Sequence, residues 1–255
     1  MQDENAGLVR ALWSRGEATR PGELQIHQAL SGRHRSVEET LLSWLRVPEP
    51  VVLAVDAPLG WPEPLGRVLA GHRAGEAPGV SAHALFRRET DRVVRRLYGR
   101  QTLDVGADRI ARTALRALEL LEALRRRSGR ELFLPLRVGP RGPAVPIIEA
   151  YPAGWLAARG LATPGYRSSG EKRGRLLERI ARIDPGAVPT GAAAPDVVSN
   201  GHVFDALLCT LVGADFLAGR CLAPADVGVS EDLVRREGWI WLPAPSAPRR
   251  VAAAD

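Results

Sequence analysis

Cysteine, lysine and long apolar segments are all scarce in this chain. Its two cysteines, Cys209 and Cys221, form neither a disulfide framework nor a zinc-spaced set, which favours a reducing compartment and argues against a structural metal. No segment approaches the roughly 18 uncharged apolar residues that cross a bilayer, and the first residues lack the order of a secretion signal. We therefore expect a cytoplasmic protein with no membrane partner.

Positive charge is carried almost entirely by arginine. Lys172 is the only lysine, and the formal net charge is +6 at pH 7. Arginines are concentrated in residues 87–100 and 125–130, and the planar guanidinium suits phosphate oxygens. Contact with nucleic acid is therefore permitted, although a solvated surface without a ligand fits the same composition.

The length of the chain favours one domain. We place it at residues 1–243, followed by a polar, Pro- and Ala-rich disordered tail at 244–255. Strands alternate with helices after an opening hairpin, which is typical of an α/β fold with a sheet of mixed direction.

Strand patterns occur near both ends and in the middle. Residues 7–13 and 23–30 predict a hairpin. The segment VVLAV at 51–55 is apolar on both faces, as in a strand in the middle of a sheet with helices on each side. Residues 146–152 repeat its arrangement of strand, acid and proline, and residues 238–243 predict a last strand.

Helix patterns separate these strands. Ser36 and, three positions later, Glu39 have the order of a capping box at the start of one helix. Apolar spacing predicts further helices at 107–127, at 170–183 and after a cap at Ser199 or Asn200.

Two acids, Asp56 and Glu149, follow or end these apolar strands. Ligands of open α/β sheets bind beyond the carboxyl ends of parallel strands, so neighbouring strands would bring the two carboxylates together. Two carboxylates at such a short distance need a shared proton or a cation between them. Mg²⁺ prefers one or two carboxylates, with water and phosphate as its other ligands. Alternatively, Asp56 stabilises a turn and Glu149 pairs with an arginine.

Asp205 is predicted in the second turn of an apolar helix. Because its neighbours on that face are mostly apolar, the acid needs a partner. A solvent-facing carboxylate near a helix start is the alternative. His202 either orients this carboxylate or caps the helix.

The segment RETD places Arg88, Thr90 and Asp91 together. At a helix start these residues could contact a phosphate, because free N–H groups there favour anions. Equally, Thr90 could be the helix cap and Arg88 a surface charge.

Five segments in order resemble the domain of unknown function 429 family, a predicted nuclease group with an RNase H-like fold. The segments are VDAPLGWP, RETD, IIEAYPA, FDALLCTLVGA and EGWIWLP, between about Val51 and Pro243. The resemblance implies a mixed sheet flanked by helices, with acids at one sheet edge that hold a divalent metal.

Carried over to this chain, the resemblance implies that Asp56, Glu149 and Asp205 are catalytic residues and ligands of Mg²⁺ or Mn²⁺. It also matches Arg88, Thr90 and Asp91 to the family's Arg-x-Thr-Asp element, and Glu237 to Pro243 to its closing motif. Family members typically open with a strand that bears Gly-x-Asp. We expect that strand to be missing or replaced here. An upstream start codon is the favoured hypothesis; the alternatives are that residues 7–13 shift into the vacant place or that another chain fills it.

The leading expectation is therefore a metal-dependent nuclease, in which Asp56, Glu149 and Asp205 hold the metal and Arg88, Thr90 and Asp91 contact the substrate. One alternative is a non-catalytic module that binds nucleic acid with an incomplete set of acids. A third is an actin-like phosphotransferase, which the lack of a Gly-rich phosphate loop disfavours.

Overall fold

A small parallel sheet lies between two layers of helices. The structure is a computed structural model that describes residues 7–13, 21–28, 37–47, 51–106, 108–139, 143–184 and 194–245, the first two of these as backbone only. The described strands are β1 (Gly7–Trp13), β2 (Pro21–Gln28), β3 (Leu53–Val55), β4 (Leu132–Phe133) and β5 (Val145–Glu149). The described helices are α1 (Val37–Leu45), α2 (Glu63–Leu69), α3 (Ala82–Phe86), α4 (Glu89–Tyr98), α5 (Asp108–Ser128), α6 (Pro152–Ala158), α7 (Gly170–Ile183), α8 (Ala194–Ser199), α9 (Gly201–Leu217) and α10 (Glu231–Glu237). Short 3-10 turns occur at Tyr166–Ser168 and Pro224–Val227.

Strand β5 is the centre of the three-stranded sheet. It pairs in parallel with β3 on one side and with β4 on the other. All five of its residues are buried, which explains its continuous apolar composition.

Alternate residues of β5 face the two helical layers. Val145 and Ile147 pack in an apolar cluster with residues of α1 and α5. Ile148 packs in the other and larger cluster, with residues of α6, α7 and α9. The period of two along a strand therefore supplies one side chain in turn to each layer.

Helix α9 is the most buried helix of the larger layer. Phe204, Leu207, Leu208, Val212 and Phe216 are all without exposure. A helix that is apolar on nearly every face must be surrounded by protein, and this one contacts α6, α7, α8 and β3.

The predicted hairpin and helices are confirmed with small shifts of boundary. Strands β1 and β2 pair antiparallel, and the backbone of β1 lies beside α9. The helix predicted at 107–127 spans Asp108–Ser128, and the one at 170–183 has those bounds. Asn200, rather than Ser199, is the cap of α9. The predicted cap Ser36 lies outside the described residues.

Two predictions about strands are corrected. Residues 51–55 were expected in the middle of the sheet, but β3 is an edge strand of the described three-stranded sheet and β5 is central. Both segments are apolar, so their sequences do not distinguish the two places. Residues 238–243 were expected to form a strand, but they make only isolated bridges, at Ile240 and Pro243.

Other predictions stay open. Among the described residues, every helix is too short or too polar to span a membrane. The cytoplasmic location, the single domain at 1–243 and the disordered tail stay predictions, and residues 246–255 of that tail lie outside the described residues. The architecture is α/β, and the RNase H-like fold stays a prediction.

Candidate functional site

Two of the predicted acids lie at the carboxyl edge of the parallel sheet. Val55 of β3 is in register with Glu149 of β5, and Asp56 follows directly. The two strands are therefore neighbours, as convergence of their acids requires. The side chains of Asp56 and Glu149 nevertheless bind different arginines.

Glu149 belongs to a closed group that we call the Arg88 network: Arg88, Asp91 and Glu149. The carboxylate of Glu149 accepts hydrogen bonds from Nη1 and Nη2 of Arg88, both at 2.7 Å. Asp91 accepts one from Nε at 3.0 Å and one from Nη2 at 3.1 Å. The carbonyl oxygen of Glu237 accepts one more from Nη1 at 3.1 Å. All five N–H donors of the guanidinium are thus used within the protein.

The Arg88 network is closed to solvent. The side chains of Arg88, Asp91 and Glu149 are 1%, 1% and 4% exposed. Burial opposes the charge of Arg88, but Glu149 and Asp91 outweigh it and raise the pKa of the guanidinium. Burial raises the pKa of Glu149, while the bonds from Arg88 act in the opposite direction. Charges this deep are tolerated because each is paired and hydrogen-bonded.

Thr90 and Glu237 connect the C-terminal segment at residues 237–240 to α4. The hydroxyl oxygen of Thr90 accepts a hydrogen bond from the backbone N–H of Ile240 at 2.9 Å. The carboxylate of Glu237 accepts the backbone N–H of Glu63 at 2.8 Å and of Glu89 at 2.6 Å. These are the first residues of α2 and α4, whose N–H groups lack partners within the helix. One buried carboxylate therefore caps two helices.

Asp205 belongs to a second, more open group. Its Oδ1 accepts a hydrogen bond from the hydroxyl of Tyr166 at 2.6 Å, and its Oδ2 lies 2.7 Å from Nε of Arg167. Nη2 of Arg167 also lies 3.4 Å from Oδ2 of Asp56. One guanidinium therefore holds two of the predicted acids. We call Asp56, Tyr166, Arg167 and Asp205 the Arg167 cluster.

The Arg167 cluster faces solvent. The side chain of Arg167 is 56% exposed and that of Asp56 38%, whereas that of Asp205 is 11% exposed. The hydrated pair of Arg167 with Asp56 contributes about 0–1 kcal/mol. Arg167 can therefore leave Asp56 at low cost, and Asp205 has the hydroxyl of Tyr166 as a second partner.

Electrostatics make the Arg167 cluster receptive to positive charge. Desolvation by the surrounding protein raises the pKa of Asp56 to about 7, although part of its side chain is exposed; Arg167 lowers this pKa, and the charges of Asp205 and Glu149 raise it. Burial raises the pKa of Asp205, against the bond from Tyr166 and the charge of Arg167. Two desolvated carboxylates that repel each other are stabilised by a shared cation.

Arg173 holds the backbone that carries Arg167. Its side chain is buried and donates to the carbonyl oxygens of Tyr166 at 2.9 Å and Arg167 at 2.6 Å. It also donates to the carbonyl oxygens of Val198 at 2.7 Å and Ser199 at 3.0 Å. The turn that bears Arg167 is thereby tied to the end of α8.

Gly201 allows the same turn to approach the start of α9. A Cβ at this position would lie 2.5 Å from the carbonyl oxygen of Arg167, which is too close for any larger residue without a shift of backbone. The side chain of Asn200 accepts the N–H groups of His202 at 2.9 Å and Val203 at 3.4 Å. This cap fixes the helix start and hence the place of Asp205 in the next turn.

Comparison with protein families matches residues 3–228 to one family model, described as "Protein of unknown function (DUF429)". The chain belongs to this family. No curated protein and no solved structure matches it. The DUF429 match includes the hairpin, which precedes the five segments of the resemblance, and it ends before the closing motif at residues 237–243.

The structure brings together two of the three acids that were predicted as a metal site in this DUF429 chain. Asp56 and Asp205 share Arg167, whereas Glu149 binds Arg88. Within the part of the chain that the structure describes, no group of three or more His, Cys, Asp or Glu side chains could hold a metal ion. The catalytic and metal-binding roles stay predictions, for which Asp56 and Asp205 are the better placed pair.

Arg88, Thr90 and Asp91 lie at the start of α4, as predicted, but in the interior. The alternatives offered for them are wrong: Arg88 is buried rather than a surface charge, and it occupies the cap position that Thr90 could have had. Their role in substrate binding stays a prediction that this geometry does not support, because Arg88 has no free donor. His202 is exposed, and only its backbone N–H takes part in the cap.

Sequence analysis missed Tyr166, Arg167, Arg173 and Gly201. The one available signal was that Asp205, on an apolar helix face, needs a partner. That signal does not say which partner, because Arg167 is one arginine among many and lies in a short polar turn.

Proposed function

We propose that this protein is a metal-dependent nuclease of RNase H-like fold that hydrolyses phosphodiester bonds in nucleic acid. The observation that carries the proposal is the Arg167 cluster. Asp56 follows a parallel strand and Asp205 lies on the central helix of the larger layer, yet both reach one exposed guanidinium. This edge of an α/β sheet is the usual place for ligands.

Asp56 and Asp205 fit one divalent cation, such as Mg²⁺ or Mn²⁺. Magnesium is usually bound by one or two carboxylates, with water and substrate phosphate completing its shell. The ion would supply the positive charge that Arg167 supplies to both acids in this structure. Glu149 does not fit this role, because both of its oxygens already accept hydrogen bonds from Arg88.

The residues of the cluster have separate tasks in this proposal. A bound divalent ion would supply an activated water and neutralise charge on the phosphate. The hydroxyl of Tyr166 donates to Asp205 and orients its carboxylate, which is 11% exposed. Arg167, released from the two acids, is a planar donor for a phosphate at the same edge.

Hydrolysis of single-stranded, duplex and hybrid oligonucleotides with Mg²⁺ or Mn²⁺ tests the proposal. We expect Asp56→Asn and Asp205→Asn each to lower the rate about 100-fold or more, the usual effect of losing one group that stabilises the transition state. Asp232→Asn is the matched control, because Asp232 is 79% exposed on α10. Equal rates in the wild type and all three variants would reject Asp56 and Asp205 as catalytic residues, and the absence of metal-dependent hydrolysis by the wild type would reject the nuclease.

Metal binding is tested separately from activity. Calorimetric titration with Mn²⁺ should give one site in the wild type and in Asp232→Asn. Binding should be lost in Asp56→Asn and in Asp205→Asn. Unchanged binding in both variants would remove these acids as ligands.

A second candidate is a non-catalytic module that binds nucleic acid. The observation in its favour is that each of the three predicted acids already has an arginine partner. Such a module would bind nucleic acid with salt-sensitive affinity and show no metal-dependent cleavage.

A further inference from the structure

A cavity of about 350 Å³ lies beside α4, outside the Arg167 cluster. Its walls are formed by α3, α4 and the segment that follows α4. Four arginines and a histidine line it: His83, Arg87, Arg92, Arg95 and Arg96. The volume is within the range of sites that hold small ligands or one unit of a larger one.

The cavity has more positive than negative side chains that lack a partner. Arg87 pairs with Asp104, and Arg92 pairs with Glu89, each at 2.8 Å. Asp91 also lines the cavity, but the guanidinium of Arg88 already binds its carboxylate.

The excess of positive charge in the cavity comes from Arg95 and Arg96. Both are exposed, and neither side chain has an ion pair or hydrogen bond with any residue that the structure describes. The cavity therefore presents two uncompensated guanidinium groups, which attract an anion.

Tyr151 connects the cavity with the strand end that bears Asp56 of the Arg167 cluster. Tyr151 follows β5, and its hydroxyl donates to the carbonyl oxygen of Gln101, a residue that lines the cavity, at 3.5 Å. The backbone N–H of Ala150, which precedes Tyr151, donates to the carbonyl oxygen of Val55, which precedes Asp56, at 2.9 Å. Tyr151 therefore reaches from the strand ends that bear Asp56 to the lining of the cavity.

We infer that Arg95 and Arg96 bind backbone phosphates of a nucleic-acid strand whose neighbouring phosphodiester lies at the Arg167 cluster. This inference rests on the proposed nuclease function and names the residues that hold its substrate. Phosphate binding is thereby assigned to Arg95 and Arg96 of α4, whose donors are free, rather than to Arg88, whose donors are all used. The guanidinium fork matches phosphate oxygens.

The test measures binding without cleavage. The anisotropy of a fluorescein-labelled single-stranded oligonucleotide is followed in EDTA, across a series of salt concentrations, for the full chain. The double variant Arg95→Gln/Arg96→Gln should bind about tenfold more weakly at low salt, with a salt slope smaller by about 0.7 for each phosphate that the variant no longer neutralises. The control is Arg112→Gln/Arg116→Gln on α5, which removes the same charge from two exposed arginines and should change affinity less than about twofold.

Other results overturn the inference. Equal losses in the two double variants would show a general effect of charge. An unchanged affinity of Arg95→Gln/Arg96→Gln, or no binding by the wild type, would show that the cavity does not hold the strand.

Failure of the inference differs from failure of the nuclease. If the wild type cleaves the oligonucleotide and Arg95→Gln/Arg96→Gln binds and cleaves it equally well, the cavity inference is wrong and the nuclease stands. If the wild type binds through Arg95 and Arg96 but does not cleave with Mg²⁺ or Mn²⁺, the nuclease is wrong and the cavity inference stands.

Discussion

Arg88 and Arg167 each hold two carboxylates, one from the carboxyl end of a strand and one from a helix. Around Arg88 every donor is used, and the two acids are almost completely buried. Around Arg167 more than half of the side chain is exposed, and the contact with Asp56 is as long as 3.4 Å. The same residue types thus build a closed group and an open one.

The difference shows that burial, more than residue type, separates a structural ion pair from a candidate site. Removing one partner of a buried pair leaves an uncompensated charge in the interior, which is strongly destabilising. Removing an exposed partner allows water to replace it. Arg88 therefore joins α4, β5 and α10 through buried contacts, whereas the contact of Arg167 with Asp56 is open to water.

The largest expected effect is that of Arg88→Met. It leaves Asp91 and Glu149 buried without a cation, and we expect the free energy of unfolding to fall by about 3–5 kcal/mol. Urea denaturation measures this loss. Arg167→Met is the matched control, with an expected loss of about 1 kcal/mol. Similar losses in both variants would contradict the distinction between the closed and the open group.

Gly201→Ala should have the next largest effect. Its Cβ would meet the carbonyl oxygen of Arg167 at 2.5 Å, so the turn or α9 must shift, at a cost of about 1–3 kcal/mol. Gly174→Ala is the control, because a Cβ at Gly174 in α7 meets nothing within 4 Å, and alanine there should stabilise the helix. Denaturation curves of the two variants should move in opposite directions. A shift in the same direction would count against a close approach at Gly201.

Arg167→Gln should change stability little and metal binding more. The loss of an exposed ion pair costs about 0–1 kcal/mol. Because Arg167 competes with a cation for Asp56 and Asp205, Mn²⁺ should bind up to about fivefold more tightly to the variant, the factor that corresponds to about 1 kcal/mol. Calorimetry checks this, with Arg175→Gln, a 73% exposed arginine on α7, as control. Weaker binding of Mn²⁺ would mean that Arg167 helps to form the site.

The smallest expected effect is the dependence of stability on pH. Since the pKa of Asp56 is raised from 3.8 to about 7, the folded protein holds this proton more tightly than the unfolded chain. The contribution of Asp56 to stability is therefore present below pH 3.8 and is lost as the pH rises to about 7. Carboxyl ¹³C NMR of the metal-free protein should show Asp56 titrating near pH 7, and higher in Arg167→Gln, because Arg167 lowers this pKa. Titration near pH 4 in the wild type would contradict the desolvation of Asp56.

Local patterns predicted the hairpin, the strands β3 and β5 and the helices α1, α5, α7 and α9. Asn200 is a good cap because its side chain can accept two helical N–H groups, and this depends only on nearby residues. By contrast, VVLAV and the core of β5 are equally apolar, so their composition did not distinguish the edge strand from the central one. Pairing of strands depends on residues far apart in the chain.

In the candidate site, too, the sequence predicted the local features but not the contacts between distant residues. Asp56, Glu149 and Asp205 were found from the sequence, because an acid after a buried strand or on an apolar helix face stands out locally. Which arginine each acid binds was not found. Arg88 lies 61 residues from Glu149, and Arg167 lies 111 residues from Asp56.

The amino-acid sequence by itself determined the α/β class, the positions of the acids and membership of the DUF429 family, because periodicity, capping and family motifs are properties of the chain order. Only the tertiary structure decided that Arg88 is buried and saturated, that Arg167 is exposed and shared, and that Arg95 and Arg96 line a cavity. The physical reason is that burial sets the cost of each charge, and burial depends on the whole fold.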